Sequence, residues 1–338
     1  MIMRAVGWVL LGLVVLLAAL WCAAALHFTG PRPAWLANVL AAGLVTAALA
    51  TVVVVRPMPT MLATLALVFG FWALWWTSVQ PRNDREWQPD VAKTAHVDVD
   101  GDRLTITNVR NFDYRTETDY TPRWETRTYD LAKLEGVDLF MSYWDASGIA
   151  HTIMSWDFSD GQHLAVSIET RKEVGEEYSA VKGFFKQFEI YYVVADERDV
   201  IRLRTNYRNE HVYLYPLRTP IERARRILMD YVESINALDT QADFYNAATA
   251  NCTTTITRHV RKIGVTFPFD RRLIINGKLD ELLYEHGIID TSRPFAEVRQ
   301  ASSIDARAQA ADQDPEFSAR IRQGIVRPPL LVLPAGAS

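Results

Sequence analysis

Cys252 is the residue with the most distinctive chemistry in this sequence. It follows Asn251 and precedes Thr253-Thr254-Thr255, at the predicted start of a helix that continues through Ile256, Val260 and Ile263. Unpaired N–H groups and the macrodipole at a helix start favour an anion, so a thiol there shifts toward the thiolate that attacks a carbonyl carbon. The alternative is an inert, buried cysteine. The only other cysteine of the 338 residues, Cys22, lies within an apolar run. The water-facing part therefore holds one thiol, which excludes a disulfide within that part and any metal site built from several cysteines.

A thiolate needs a base, and the base needs an orienting group. The candidates are His96, His151, His163, His211, His259 and His286. His259 lies seven residues beyond Cys252 on the same helix, about two turns away and out of reach. His151 is better placed, on a strand whose partner returns through an Asp160-Gly161 turn. A three-residue loop sets His151 opposite Glu169. Alternation supports the pairing: Leu164, Val166 and Ile168 share one face, leaving Ala165, Ser167 and Glu169 on the other with His151, Ile153 and Ser155. A one-residue slip would destroy this pairing. The plain alternative for Glu169 is a solvated ion pair with Arg171 or Lys172. His163 is the rival orienter, but it sits beside the turn and is expected to be exposed. The Cys252 backbone N–H is a candidate oxyanion donor, with Asn251 and Ser167 as polar support. Arg204 and Arg208 flank Asn206 and are candidates for phosphate head groups. A structural role for Arg202, Arg204 and Arg208, paired with Asp196, Glu197 and Asp199, is the competing reading. Tyr191, Tyr192, Tyr207, Tyr213 and Tyr215 read as core and sheet surface.

These residues lie on an alternation of short strands followed by helices. Strands are expected from His96, with a hairpin at Asp100-Gly101, then over 137–144, 149–158, 163–170, 188–194, 200–205 and 212–215. Asp98-Val-Asp-Gly-Asp looks like part of a calcium loop, but its glycine comes one place early and the closing Glu is missing, so it reads as a turn. Helices are expected over 219–238, from Cys252, over 279–286 and over 302–323, with a loose tail over 328–338. The order is α+β.

Residues 1–80 contain no Lys, Asp or Glu and only three Arg. Val6–Leu26, Trp35–Val55 and Met61–Ser78 are each long enough to cross a bilayer core. The first run is too long for a signal peptide, and two more follow it. With an inside N-terminus, three crossings put the remainder outside the cytoplasm, and Trp72, Trp75 and Trp76 form an interfacial belt. Beyond residue 80 lie 33 basic and 40 acidic residues, a balance of about −7 that argues against nucleic acid as partner. The organisation is a transmembrane region over 1–80, a linker over 81–95, a catalytic domain over 96–310 and a helix end and tail over 311–338.

Asn108-Val-Arg-Asn-Phe-Asp-Tyr-Arg, His151-Thr-Ile-Met-Ser-Trp, the run from Asp160 to Glu169, Leu203-Arg-Thr-Asn-Tyr-Arg208 and Asn251-Cys-Thr-Thr together resemble the Lnb N-terminal periplasmic domain family. This bacterial family is similar to permuted papain-like folds of the NlpC type, in which the His strand precedes the Cys helix. The resemblance implies a multi-pass protein of the bacterial inner membrane with its C-terminal domain in the periplasm. It also implies lipoprotein N-acylation without a cofactor or metal, with Cys252 as nucleophile, His151 as base and Glu169 at the family's acidic position. The expected partners are phospholipid and lipoprotein substrates. One departure is that the membrane helices come first here, with no longer multi-span region after the domain. Two rival readings remain: a cysteine peptidase or amidase acting on cell-wall peptides, and a non-catalytic envelope scaffold.

Overall fold

The computed structural model describes residues 2–144, 148–265 and 268–331. Part of the expected tail, 332–338, lies outside them. Two compact units emerge. One holds the chain up to Arg82 together with 177–189 and 244–247; the other holds 83–176, 190–243 and the chain from Ala248 on.

The first unit is built on α1 (Ile2–Thr29), α2 (Ala34–Val54) and α3 (Met58–Ser78). Each is long and apolar enough to cross a membrane. Their shared core is Val15, Ala19, Ala48, Met61 and Leu65, in which small residues let the helices approach closely. Trp72, Trp75 and Trp76 cluster near the end of α3, with Trp72 stacked on Trp76. The segment 177–189 packs into this unit. Phe185 lies against Trp21 and Phe28, and Lys186 donates to the carbonyls of Trp76 and Val79 at 2.8 and 3.1 Å.

The second unit is a mostly antiparallel sheet with helices on both faces. Its strands, in chain order, are β1 (His96–Asp100), β2 (Arg103–Arg110), the short pair β3 (Asp113–Tyr114) and β4 (Tyr120–Thr121), then β5 (Trp124–Asp130), β6 (Leu134–Tyr143), β7 (His151–Phe158), β8 (His163–Arg171), β9 (Glu189–Ala195) and β10 (His211–Pro216). The eight-stranded sheet runs β1-β2-β9-β8-β7-β6-β10, with β5 added on β2. Asp100 pairs with Arg103 across a two-residue turn, so the acidic run is a hairpin, and Gly101 supplies the positive φ it needs.

The helices are α4 (Glu197–Arg202), α5 (Ile221–Thr240), α6 (Cys252–Lys262), α7 (Leu279–Glu285), α8 (Phe295–Ser302), α9 (Asp305–Ala310) and α10 (Phe317–Ile321). On one face of the sheet, Phe140, Ile153, Ala165 and Val193 pack against Val200, Ile201, Ala308 and Phe317 of α4, α9 and α10. The opposite face carries Trp156, which donates to the Ala224 carbonyl of α5 and packs edge-on against Tyr231. Both faces of β7 and β8 are therefore buried.

Two expectations need correction. Residues 200–205 are not a strand: α4 runs into a π-helical turn over Leu203–Tyr207. The Asp196 side chain accepts from Arg198 N–H, and that helix cap overrides the β-branched composition. The charged run 302–323 is α9, α10 and turns instead of one helix.

Candidate active site

β7 pairs with β8 in the register Ile153↔Ser167 through Asp157↔His163. Continued by two residues, this register sets His151 opposite Glu169. Their side chains share the face covered by α4 and the π turn. His151 Nε2 lies 2.7 Å from Ser167 Oγ, and the Ser167 hydroxyl donates to Glu169 Oε1 at 2.7 Å. The direct separation of Nε2 from Glu169 is 3.8 Å, too long for a hydrogen bond, so Ser167 carries the link.

Proton counting then fixes the ring. An ionised carboxylate only accepts, so the single Ser167 proton goes to Glu169 and Ser167 must accept from His151 Nε2–H. That leaves Nδ1 for the sulfur, as the acceptor of the thiol proton and its holder once the thiolate forms. Glu169 is anchored in turn by Arg204, whose guanidinium donates to Oε1 at 2.9 Å. Burial would raise the Glu169 carboxyl, but Arg204, His151 and Arg110 together hold it well below the usual carboxylate range.

Cys252 is the first residue of α6. Asn251 caps the helix, its side-chain oxygen accepting from Thr254 N–H at 2.9 Å while Thr254 Oγ1 accepts from Asn251 N–H at 3.0 Å. This capping box fixes the entry of the chain and leaves the Cys252 and Thr253 N–H groups without partners inside the helix. Thr253 Oγ1 lies 3.8 Å from the sulfur, and His151 and Thr152 are the groups that act on its charge. Burial pushes the thiol up, but the His151 imidazole and the N–H and hydroxyl of Thr152 outweigh it and bring it down to about 6. A thiol with that value is about nine-tenths thiolate at pH 7.

Two contributors escaped the sequence reading. Thr152, beside His151, faces the opposite side of β7, where its hydroxyl meets Thr253 Oγ1 at 3.4 Å and its N–H and hydroxyl favour the thiolate. Asn276 is fully engaged: its Nδ2 donates to Ala150 O at 2.5 Å and Thr253 Oγ1 at 2.6 Å, and its Oδ1 accepts from Ala150 N–H at 2.8 Å. One amide thus ties the residue before His151 to the residue after Cys252. The neighbouring Gly277 N–H donates to Gly148 O at 2.8 Å, an approach that a Cβ at Gly277 would block. Asn276 lies 24 residues from Cys252 in an unremarkable polar stretch, and no local pattern marks it.

The remaining candidates have other partners. His163 is largely buried and pairs with Asp157 at 2.7 Å, contrary to the exposure expected beside a turn. His259 contacts Asp230 through Nδ1 at 2.5 Å and the Tyr192 hydroxyl through Nε2 at 2.7 Å, so both its nitrogens are engaged away from Cys252. Asn206 donates to Ala308 O and Asp312 Oδ1, and Arg208 pairs with Glu117 at 2.9 Å. With Arg204 on Glu169, all three head-group candidates have intramolecular partners. The acids Asp196, Glu197 and Asp199 pair instead with Arg127, Arg322 and Arg110. Among the described residues, no group of three or more His, Cys, Asp or Glu is placed to hold a metal ion.

Residues 120–277 match the family model described as the Lnb N-terminal periplasmic domain, the family that the sequence motifs resemble. The match spans His151, Glu169 and Cys252, and together with the three membrane-length helices it makes this a membrane protein with a periplasmic domain. No curated protein and no solved structure matches the chain.

Proposed function

Starting from a chain whose residues 120–277 are a Lnb N-terminal periplasmic domain, we propose that it is an inner-membrane cysteine acyltransferase, moving an acyl chain from phospholipid to a lipoprotein N-terminal amine. The observation that carries this reading is the thiol of Cys252, drawn down to about 6 beside an imidazole whose far nitrogen is tied through Ser167 to Glu169.

The Cys252 thiolate attacks the ester carbonyl carbon, and the tetrahedral oxyanion meets the N–H groups at the start of α6. The C–O bond breaks, His151 gives its proton to the departing oxygen, and lysophospholipid leaves a thioester on Cys252. The lipoprotein amine then attacks that thioester. Its proton passes to His151 Nδ1 as the C–S bond breaks, and the amide leaves with the thiolate–imidazolium pair restored. Sulfur suits both halves, because a thioester is less resonance-stabilised than an oxygen ester and yields readily to amines. Three spans that hold the chain at the membrane reduce the orientation cost of two lipid substrates.

Mass spectrometry of lipoprotein N-termini tests this in cells depleted of the protein and complemented with wild type or Cys252→Ala. N-acylation should be lost on depletion and return only with wild type. Unchanged N-acylation in all three overturns the reading. Altered muropeptides in its place favour the amidase, which would use the same pair with water as acceptor.

A further inference from the structure

One face of α6 remains incompletely covered. Thr253, Ile256, Thr257 and Val260 fall at helical spacing i, i+3, i+4 and i+7, and all four line a cavity of about 110 Å³. Leu139 and Met154 of the sheet form its floor, and Leu282 and Leu283 of α7 close another side. Ile256, Val260 and Ile263 are only half-buried although they face this interior. At 10–15 Å³ for each water-sized body, the space takes roughly eight such bodies, comparable to a run of several methylene groups. A space walled by aliphatic side chains offers water few partners and favours an apolar occupant.

The cavity ends beside the reactive sulfur. Cys252 itself is not part of its lining, but Thr152 and Thr253 are, and Thr253 Oγ1 lies 3.8 Å from Cys252 Sγ. Both threonine hydroxyls also meet each other at 3.4 Å, and Asn276 donates to Thr253. These polar groups stand at the sulfur end, and the rest of the lining is mostly aliphatic, with Thr219, Arg223 and Thr257 as its polar members. That is the polarity of an acyl group, with its carbonyl at the thioester and its hydrocarbon beyond.

We propose that this cavity is a hydrocarbon-chain site that holds the acyl group carried on Cys252. The assignment rests on the acyl-transfer reading for its occupant, while the cavity's affinity for a chain is testable without it. The side chains of α6 and α7 then set the chain length accepted, and Val260 and Leu283 are the specificity-determining positions.

Two measurements on the full-length protein test it. First, thioester on Cys252 is followed by intact mass after mixing with vesicles of dipalmitoyl phosphatidylethanolamine or with the dihexanoyl lipid. Val260→Trp and Leu283→Trp should cut palmitoyl loading at least tenfold and hexanoyl loading less than threefold, the short donor showing that the variant is folded. Second, a diazirine-bearing palmitate is photolysed with Cys252→Ala protein in nanodiscs, and its adducts should map to 252–263 and 279–283. Equal loss, or no loss, for both donors overturns the site, as do adducts confined to other segments. Wild type that forms no thioester with either lipid, while adducts map to the cavity, overturns acyl transfer and leaves the chain site standing.

Discussion

His151 and Glu169 face each other across two strands yet do not touch; the Ser167 hydroxyl stands between them, 2.7 Å from each. Ser167 therefore sets the tautomer of the base. Ser167→Ala should remove the acceptor for Nε2–H and let the ring rotate. We expect kcat for thioester formation to fall about 10- to 100-fold. KM should stay near wild type, because no substrate contact is lost. Steady-state kinetics on phospholipid vesicles check this, and an unchanged kcat would dismiss the relay.

The thiol of Cys252 supplies a pH signature. In a Cys22→Ala background, alkylation by iodoacetamide should rise about tenfold per pH unit below 6 and level off above it, following the thiolate. His151→Gln removes the largest effect opposing burial. The midpoint should then move up to the ordinary value of 9 or beyond. A midpoint that stays near 6 would mean the imidazole is not what stabilises the thiolate.

Glu169 and Arg204 form a pair whose guanidinium is almost wholly buried. Glu169→Gln leaves that charge without its partner and should destabilise the protein by about 3 kcal/mol at pH 7. The folded carboxyl lies below its unfolded value, so its contribution is full above the ordinary carboxylate range and is lost as pH falls toward the folded value. The gap between wild type and variant should thus be widest at pH 7 and close in acid. Thermal unfolding in detergent at pH 7 and pH 2 measures it.

Asn276→Ala removes three hydrogen bonds and leaves the Ala150 backbone groups buried without their partner. We expect a loss of about 2 kcal/mol of stability. A fall in thioester formation should accompany it, because the base and the nucleophile lose their common brace. Gly277→Ala should act similarly by forcing the Gly148 carbonyl away, since a Cβ there would lie 2.0 Å from that oxygen. Amide hydrogen exchange at Ala150 should rise in both variants, and unchanged protection would count against the brace.

What could be read in advance was local. The Asp160-Gly161 turn and strict alternation were enough to place His151 opposite Glu169, and the Asn251-Cys-Thr-Thr run gave the start of α6, although Asn251 was read as oxyanion support and its side chain instead caps the helix. Ser167 was visible on the correct face, but its role as a bridge depends on a cross-strand distance that alternation does not supply. Thr152 was hidden because β7 has partners on both faces, so the side pointing away from His151 was also functional. Val200–Thr205 misled because hydrophobic burial there is shared by helix and strand patterns, and only the Asp196 cap separates them. Asn276 joins segments remote in sequence, which a single chain without its fold cannot reveal.

The packing of Phe185 on Trp21 and Phe28 bears on how this protein can be handled. A polypeptide begun at Asn83 would keep residues 177–189 but lose the aromatic surfaces that shield them. Phe185, now buried, would then face water beside Phe184 and Val181, which are already exposed, an oily patch that invites self-association. Preparations freed from their N-terminal helices should therefore pellet without surfactant, and isolating the sheet-bearing portion will require rewriting that short insertion as well as trimming the anchor.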